Sequence, residues 1–394
     1  MMPRGRSTKT ERRRTHVHLR DRQVALAVVI AIFFTACGTV TERTPPPGVS
    51  ISYGPLREAC GPKLVLQTDW FPEPEHGGSY QLIGPSGRFS KERGTYTGEI
   101  GKTGVELEIR AGGPYLSSQP VTSLMYQDES IFMGYVSTEE AVRYSRSHPT
   151  VAIFAPLVNS PHVLMWNPAK YSFKSLEDIG RSQAKVVYTE GVGFMDYLVS
   201  RGYIRKDQLD PSYDGSPARF VAEGDVVQEA FATDEPYKYE HDIPQWKKPV
   251  AFLLVSTGGY RPYPMNVAVR PQVQRKMQGC LRVLVPMMQQ AQVDYMINPE
   301  PINETMLRIV TKLASLWILS KGGVADATMK MRELKIVDNG TDGAIGSFDM
   351  PRIREMIDLL GPIYAKQGIL TMKAGLMPEN IATNDFIDRR IKLP

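Results

Sequence analysis

Aromatic, acidic and histidine side chains are concentrated in residues 66–80, which read LQTDWFPEPEHGGSY. An apolar run at residues 63–67 leads into them and predicts a strand that ends just before the loop. α/β proteins place their ligands in loops that follow strand ends. Trp70, Phe71 and Tyr80 offer flat faces for stacking on a ring, and a cationic ring would gain further from cation–π attraction. We therefore interpret the segment as a binding loop; the alternative is a surface turn with aromatic side chains packed into the core.

An export signal is predicted at the start of the chain. Residues 1–23 carry eight Lys and Arg against two acids, and an uncharged apolar run of 13 residues, Val24 to Ala36, follows. A basic region before a short apolar region is typical of an export signal, and a bilayer span needs about 20 residues. Small residues before Cys37 resemble a bacterial lipobox, in which this cysteine is lipidated; a plain signal peptide is the alternative. The following Pro-rich residues predict a tether.

The basic start also accounts for the net charge. The chain has 394 residues with 47 Lys and Arg, 42 Asp and Glu and a net charge of +5. Without residues 1–23, 39 basic and 40 acidic residues remain, a net charge of about −1. The sequence shows no basic stripe with interleaved aromatic residues, so nothing in it points to nucleic acid.

Two cysteines remain once Cys37 is assigned to a lipid. Cys60 and Cys280 are an even pair in an oxidising compartment, which allows a disulfide. Two buried free thiols are the alternative.

Short apolar strands alternate with helical stretches along the remaining chain, which predicts α/β layers with largely parallel strands. A chain of this length favours two lobes. Apolar runs at 151–166 and 265–269 predict two crossings between lobes, and two crossings make a hinge over a cleft. The predicted segments are a signal peptide at residues 1–36, a tether at 37–60, lobe one at 61–157, lobe two at 158–263 and the rest of lobe one at 264–394.

Four segments resemble one family, the ABC-importer substrate-binding proteins of the thiamine-pyrimidine-precursor / nitrate-sulfonate-taurine type. They are Asp69-Trp70-Phe71-Pro72 with Glu75-His76-Gly77-Gly78-Ser79-Tyr80, Gly112-Gly113-Pro114, Ala232-Thr233-Asp234-Glu235-Pro236-Tyr237, and Pro378-Glu379-Asn380-Ile381-Ala382-Thr383-Asn384-Asp385-Phe386. The resemblance spans about residues 63–388 and implies a two-lobed periplasmic-binding-protein fold with two hinge crossings and a central ligand cleft. Glu75 departs from the asparagine that is frequent in the family.

The resemblance, together with the residue chemistry, defines the candidate ligand contacts. Position by position it implies contacts from Trp70, His76, Tyr80, Glu235 and Tyr237, and the glycine loop adds Gly113. The complete candidate set is Trp70, Phe71, Glu75, His76, Tyr80, Gly113, Glu190, Phe194, Glu235 and Tyr237. For His76 the alternative is a residue that fixes its own loop, and for Glu235 it is a cap or a hinge salt bridge.

The acids of this set determine the expected ligand. Ionised carboxylates only accept hydrogen bonds, so they suit N–H donors. A desolvated anion beside Glu75, Glu190 and Glu235 would be costly, although a helix start at Gly193 would otherwise favour one. We therefore expect a neutral or cationic nitrogen heterocycle, similar to the thiamine pyrimidine, in preference to nitrate, taurine or sulfonates.

A binding protein without catalytic residues, cofactor or metal is the expected class. Some relatives of this fold are pyrimidine synthases, but three dispersed cysteines are too few for the cysteine-rich metal patch that those enzymes share. No Walker loop, HExxH or Ser-His-Asp motif is present. The expected protein is a lipid-anchored monomer at the cell membrane, facing outward or toward the periplasm. It would deliver a small molecule to a permease and an ATPase; a sensor with the same cleft is the alternative.

Overall fold

The computed structural model describes residues 55–394 apart from Ala314 and Leu316. The predicted signal peptide, Cys37 and most of the predicted tether lie outside these residues. The described residues belong to one compact unit. None of the helices in that part of the chain is both long enough and apolar enough to span a bilayer.

Two sheets organise the described residues, one with seven strands and one with five. The seven-stranded sheet has the order β2-β3-β4-β1-β5-β12-β6, and the five-stranded sheet has the order β11-β7-β10-β8-β9. The strands are β1 Lys63–Gln67, β2 Arg88–Ser90, β3 Thr95–Glu99, β4 Glu106–Arg110, β5 Met133–Val136, β6 Val151–Phe154, β7 His162–Trp166, β8 Val186–Val187, β9 Leu209–Asp210, β10 Val227–Phe231, β11 Ala251–Leu254 and β12 Asn266–Val269.

Helices lie between and after the strands. They are α1 Leu56–Cys60, α2 Gly77–Ile83, α3 Val121–Gln127, α4 Thr138–Arg143, α5 Leu176–Arg181, α6 Gly193–Ser200, α7 Ala218–Glu223, α8 Glu235–Tyr237, α9 Pro271–Lys276, α10 Gln278–Ile297, α11 Glu300–Leu313, α12 Lys321–Glu333 and α13 Met350–Lys366.

The chain passes twice between the two sheets. Strand β6 belongs to the seven-stranded sheet and β7 to the five-stranded one, and β11 and β12 make the return passage. We call the seven-stranded sheet with its helices the first half and the five-stranded sheet with its helices the second half. The predicted α/β fold class with two crossings is confirmed, and the predicted lobe boundaries at 157/158 and 263/264 fall within the two crossing segments.

The prediction of largely parallel strands is wrong. Strand β1 runs parallel to β4 and β5, and β8 runs parallel to β9 and β10. The other pairings are antiparallel. Short connections turn β2, β3 and β4 into a meander, and β12 enters between β5 and β6 on its return from the second half. An apolar run predicts a buried strand but not its direction, because direction is set by the connection.

Close packing of α2 on α10 fixes the loop that follows β1. A side chain at Gly77 would collide with the Tyr295 ring, and one at Gly78 would collide with the Gln292 side chain. The Gly-Gly pair of the candidate binding loop therefore serves helix packing, since only glycine allows so close an approach.

A break at Met277, with φ −112° and ψ 28°, separates α9 from α10. Helix α11 ends at Leu313, so Trp317 lies beyond it.

Cys60 and Cys280 form a disulfide that joins α1 to α10 across 220 residues of sequence. Both residues are buried. The pairing ties the start of the described chain to the longest helix of the first half.

Replacing both cysteines, in Cys60→Ala/Cys280→Ala, should lower the free energy of unfolding by about 2–5 kcal/mol, because the unfolded chain loses a long-range constraint. Urea unfolding followed by circular dichroism measures the change. A reductant should destabilise the wild type by a similar amount and leave the double variant unchanged; a wild type insensitive to reductant would contradict the pairing.

Candidate ligand-binding site

A cavity of about 380 Å³ lies between the two halves. Its walls come from the loops after β1 and β4, the starts of α3, α4, α6 and β7, the second crossing and α13. The lining residues are Asp69, Trp70, Gly113, Ser118, Gln119, Pro120, Val121, Ser137, Glu139, Glu140, Arg143, Tyr144, His162, Gly191, Val192, Gly193, Phe194, Pro264 and Tyr364. Strands β1, β4 and β5 end at this cavity, as expected for ligand sites in α/β folds.

Trp70 and Gly113 form one wall, as the sequence predicts. Gly113 has φ +60°, and a Cβ there would lie 2.5 Å from Trp70 Cε3, so the position requires glycine for both conformation and space. The Trp70 ring meets the Phe71 and Trp317 rings edge to face, with centroids 6.2 and 6.0 Å apart. The indole is thereby held in place and still reaches the cavity.

Asp69 is held at the wall by a buried histidine. His76 Nε2 lies 2.8 Å from Asp69 Oδ1, and the imidazole, which is fully buried, meets the Tyr135 ring at 4.7 Å. Nε2–H donates to the carboxylate. His76 does not line the cavity, so its observed contacts fit the alternative that it fixes its own loop, here through a side chain.

Arg143 is the lining cation. It is half-buried, and its guanidinium lies 5.9 Å from the centroids of the Tyr144 and Tyr364 rings. Among the residues that the structure describes, none forms a hydrogen bond or an ion pair with this guanidinium. A guanidinium at a cavity wall that has no hydrogen-bond or ion-pair partner is suited to bind a carboxylate, sulfonate or phosphate group.

Two glutamates on the same helix face the cavity but do not pair with Arg143. The Tyr260 hydroxyl donates to Glu139 Oε1 at 3.1 Å, and the Thr122 N–H donates to Glu140 Oε1 at 2.8 Å. Burial raises the pKa of Glu139 and raises that of Glu140 from 4.5 to about 7. At neutral pH the Glu140 carboxyl group is therefore only partly ionised.

His162 lines the second half of the cavity as a neutral group. Burial lowers its pKa to about 4, so the imidazole is uncharged at neutral pH. The ring centroid lies 5.1 Å from that of Phe194, which was predicted at this wall. His162 Nδ1 is 3.0 Å from Ser160 Oγ.

Besides His76, three more predicted contacts from the first half lie outside the cavity lining. Phe71 is buried and stacks on the Trp317 ring, with centroids 6.2 Å apart. Glu75 is buried and accepts a hydrogen bond from the Thr233 hydroxyl. Tyr80 is buried in α2 against Tyr96.

Three predicted contacts from the second half also lie outside the lining. Glu190 is exposed. Glu235 accepts hydrogen bonds from the Tyr213 hydroxyl at 3.2 Å and the Phe231 N–H at 2.7 Å, which fits the alternative structural role. Tyr237 lies against α12, with its ring 4.4 Å from that of His241.

The charged lining residues that the sequence analysis did not single out, Glu139, Glu140 and Arg143, are all on α4. This helix begins directly after β5, and Ser137 caps it by accepting the Glu140 N–H at 3.1 Å. A serine followed three residues later by glutamate at a strand end is a sequence signal for such a helix start. It could have pointed to Glu139, Glu140 and Arg143. No three His, Cys, Asp or Glu side chains of the described residues are arranged to hold a metal ion.

No family model and no curated protein matches the chain. Solved structures do match. A putative periplasmic sulfonate-binding protein from Methylobacillus flagellatus KT aligns at a TM-score of 0.53 and 12% identity, over 82% of this chain and 92% of that one. The alkanesulfonate-binding protein SsuA from Xanthomonas axonopodis pv. citri, bound to MOPS, aligns at 0.52 and 9%, over 82% and 98%. The ligand-binding component of an ABC-type import system from Staphylococcus aureus aligns at 0.50 and 10%, over 83% and 99%.

The chain has the fold of these binding proteins. At such low identities the similarity extends to the fold alone, and the ligand has to be argued from the cavity.

The charge of Glu140 yields a prediction about pH. Because the folded protein raises this pKa, the contribution of Glu140 to stability is complete below about pH 4.5 and is lost as the pH rises through about 7. Glu140→Gln should therefore raise the free energy of unfolding by about 1–3 kcal/mol at about pH 8 and leave it unchanged at about pH 4.5.

Chemical unfolding at the two pH values measures the difference. Glu129→Gln is the matched control, since Glu129 is exposed and lies outside the cavity. A Glu140→Gln variant less stable than the wild type at the higher pH would show that Glu140 is ionised and stabilising.

Proposed function

We propose that this protein is an extracytoplasmic solute-binding protein of an ABC-type importer and that it binds a small organic anion in the cavity between its halves. One observation carries the proposal. Arg143 presents a half-buried guanidinium to the cavity with no hydrogen-bond or ion-pair partner among the described residues. The fold shared with ABC-import binding proteins agrees with solute capture.

The surroundings of Arg143 favour an anion. Glu139 and Glu140 stand four and three residues before it on one helix, a spacing that normally allows an ion pair. Their hydrogen bonds to Tyr260 and Thr122 come from other elements and hold them away. The backbone at the start of α6 lines the opposite wall, and the positive end of a helix dipole adds to the attraction.

The expected preference for a nitrogen heterocycle loses its main support. It depended on Glu75, Glu190 and Glu235, and none of the three lines the cavity. Three other acids, Asp69, Glu139 and Glu140, do line the cavity, but each already takes part in a hydrogen bond, to His76, Tyr260 and Thr122 respectively. Burial also raises the pKa of the two glutamates, so the desolvation argument against a sulfonate or carboxylate is weaker than the sequence suggested.

The rest of the lining suits a compact apolar body. Aromatic ring surface lines much of the cavity and comes from Trp70, Tyr144, Phe194 and Tyr364. A volume of about 380 Å³ is at the small end of the usual range for small-molecule sites. A short alkyl or aryl sulfonate or carboxylate fits this combination.

A neutral nitrogen heterocycle similar to the thiamine pyrimidine is the second candidate. Asp69, Glu139 and Glu140 face the cavity as acceptors for N–H groups, and the rings could stack on it. The two candidates differ in the decisive contact. An organic anion would depend on Arg143, whereas a nitrogen heterocycle would depend on Asp69, Glu139 and Glu140.

The cellular setting is proposed from the sequence. Lipidation at Cys37, outside the described residues, would anchor the protein to the membrane as a monomer that faces a permease and an ATPase. Signalling to a membrane partner is the alternative use of the same site.

Arg143→Met should weaken binding of the anion about 10- to 100-fold, because a hydrogen-bonded charge pair contributes about 1.5–3 kcal/mol. Calorimetric titration of the full-length chain with alkanesulfonates, taurine, nitrate, hydroxymethylpyrimidine and thiamine first identifies the class of ligand.

A ligand present at 100 times its Kd should raise the free energy of unfolding of the protein by about 2.7 kcal/mol.

Arg146→Met is the matched control, because Arg146 is exposed, lies three residues further on and does not line the cavity. Pyrimidine binding that survives Arg143→Met and is lost in Glu139→Gln would establish the second candidate. The absence of binding by every compound would contradict both.

A further inference from the structure

The two halves also meet at a group of buried and half-buried polar side chains beside the cavity, which we call the interface cluster: Glu73, Glu75, Thr233, Asp234 and Lys238. Glu73 and Glu75 follow β1 in the first half, and the exposed fractions of these residues are 5% and 3%. The other three follow β10 in the second half. The cluster therefore lies across the junction that separates the two halves.

Direct contacts cross this junction. The Thr233 hydroxyl donates to Glu75 Oε1. Lys238 Nζ lies 2.7 Å from Asp234 Oδ2 and 4.0 Å from the centroid of the Trp317 ring. Trp317 Nε1–H donates to the Pro72 carbonyl at 3.2 Å, so the ring beneath Lys238 is attached to the first half.

Acids outnumber cations in the cluster, with three carboxyl groups around one ammonium group. Glu73 Oε1 is buried and has no hydrogen-bond partner among the described residues. Titratable groups of the packed elements surround the cluster and add little positive charge. They are Asp69, His76, Tyr80, Tyr135 and Tyr295 of the first half and Tyr213, Glu235 and Asp242 of the second half.

Burial favours the protonated form of these carboxyl groups. It raises the pKa of Glu73 well above 4.5, and it raises the pKa of Glu75 in spite of the Thr233 hydrogen bond. The pKa of Asp234 is raised in spite of Lys238. Burial lowers the pKa of Lys238, but Asp234 and Glu235 outweigh it and the net pKa is raised, so the ammonium stays charged.

We propose that the interface cluster is a proton-dependent latch, which holds the two halves together while its acids are protonated and releases them when the acids ionise. The latch rests on the proposed function, because it would regulate access to the same cavity. Deprotonation places two or three negative charges against each other across the junction, and one ammonium cannot neutralise them.

The direction of the pH effect on closure follows from the direction of the pKa shifts. Each acid has a higher pKa in the closed contact than the ordinary value it regains once water reaches it. The contribution of these acids to closure is thus complete below about pH 4.5, and it is lost as the pH rises through their raised pKa values. Glu235 at the edge of the cluster, with a pKa of about 7, places part of this change near neutrality.

A distance measurement without ligand tests the latch. Spin labels at Gln245→Cys in the second half and Thr311→Cys in the first half, in a chain with Cys37→Ala, report the separation of the halves; both sites are exposed. We expect the distance to lengthen as the pH rises from about 5 to about 9. The double substitution Glu73→Gln/Glu75→Gln, which keeps shape and removes the charges, should hold the short distance over the whole range.

Two further variants sharpen the result. Glu240→Gln, an exposed acid of the same segment, is the matched control and should behave like the parent. Lys238→Met removes the only cation of the cluster and should move the lengthening to lower pH. Circular dichroism confirms that each variant is folded.

A distance that does not change with pH in the parent would overturn the latch, and so would an unaltered change in the Glu73→Gln/Glu75→Gln variant. Since no ligand is present, these outcomes are independent of the proposed function. Conversely, a pH-dependent distance in a protein that binds none of the tested solutes would reject the solute proposal and leave the latch intact.

Discussion

Carboxyl groups that leave water must find a donor or keep a proton, and this constraint governs the region between the two sheets. Asp69 meets His76, and Glu139 meets Tyr260. Each partner comes from another turn or element, so satisfying an acid also fixes the element that carries it. Arg143 forms no such pair, because its nearest acids in sequence, Glu139 and Glu140, are hydrogen-bonded to other elements. The chemical character of the cavity is thus a consequence of how its neighbours are satisfied.

Close packing makes that arrangement possible. Gly77 and Gly78 let α2 lie directly on α10, and the disulfide from Cys60 attaches α1 to the same helix. The loop between β1 and α2 is short and anchored at both ends. It therefore presents Asp69 and Trp70 to the cavity on one side and Glu73 and Glu75 to the second half on the other.

Much of the architecture could be predicted because apolar runs bounded by Pro, Gly and polar residues define buried strands. Strand β1 spans the predicted residues 63–67, β6 and β7 both lie within the apolar run at 151–166, and the two crossings occur where the composition placed them. Strands β2, β3 and β10 show no continuous apolar run, because Arg88–Ser90, Thr95–Glu99 and Val227–Phe231 contain too many polar or small residues. They are strands because each pairs with a neighbouring strand of its sheet: β2 with β3, β3 with β4, and β10 with β7.

The sequence by itself determined the fold class, the passage between two sheets, the cysteines able to pair, and two separate loops whose Trp70 and Gly113 reach the cavity. These properties depend on local composition and periodicity. Only the tertiary structure decided which acids face solvent, which face each other and which face the cavity. It placed Glu75 against Thr233 and left Arg143 without a hydrogen-bond or ion-pair partner among the described residues, because pairing between charges depends on distances across elements far apart in the chain. No spacing within one segment encodes those distances.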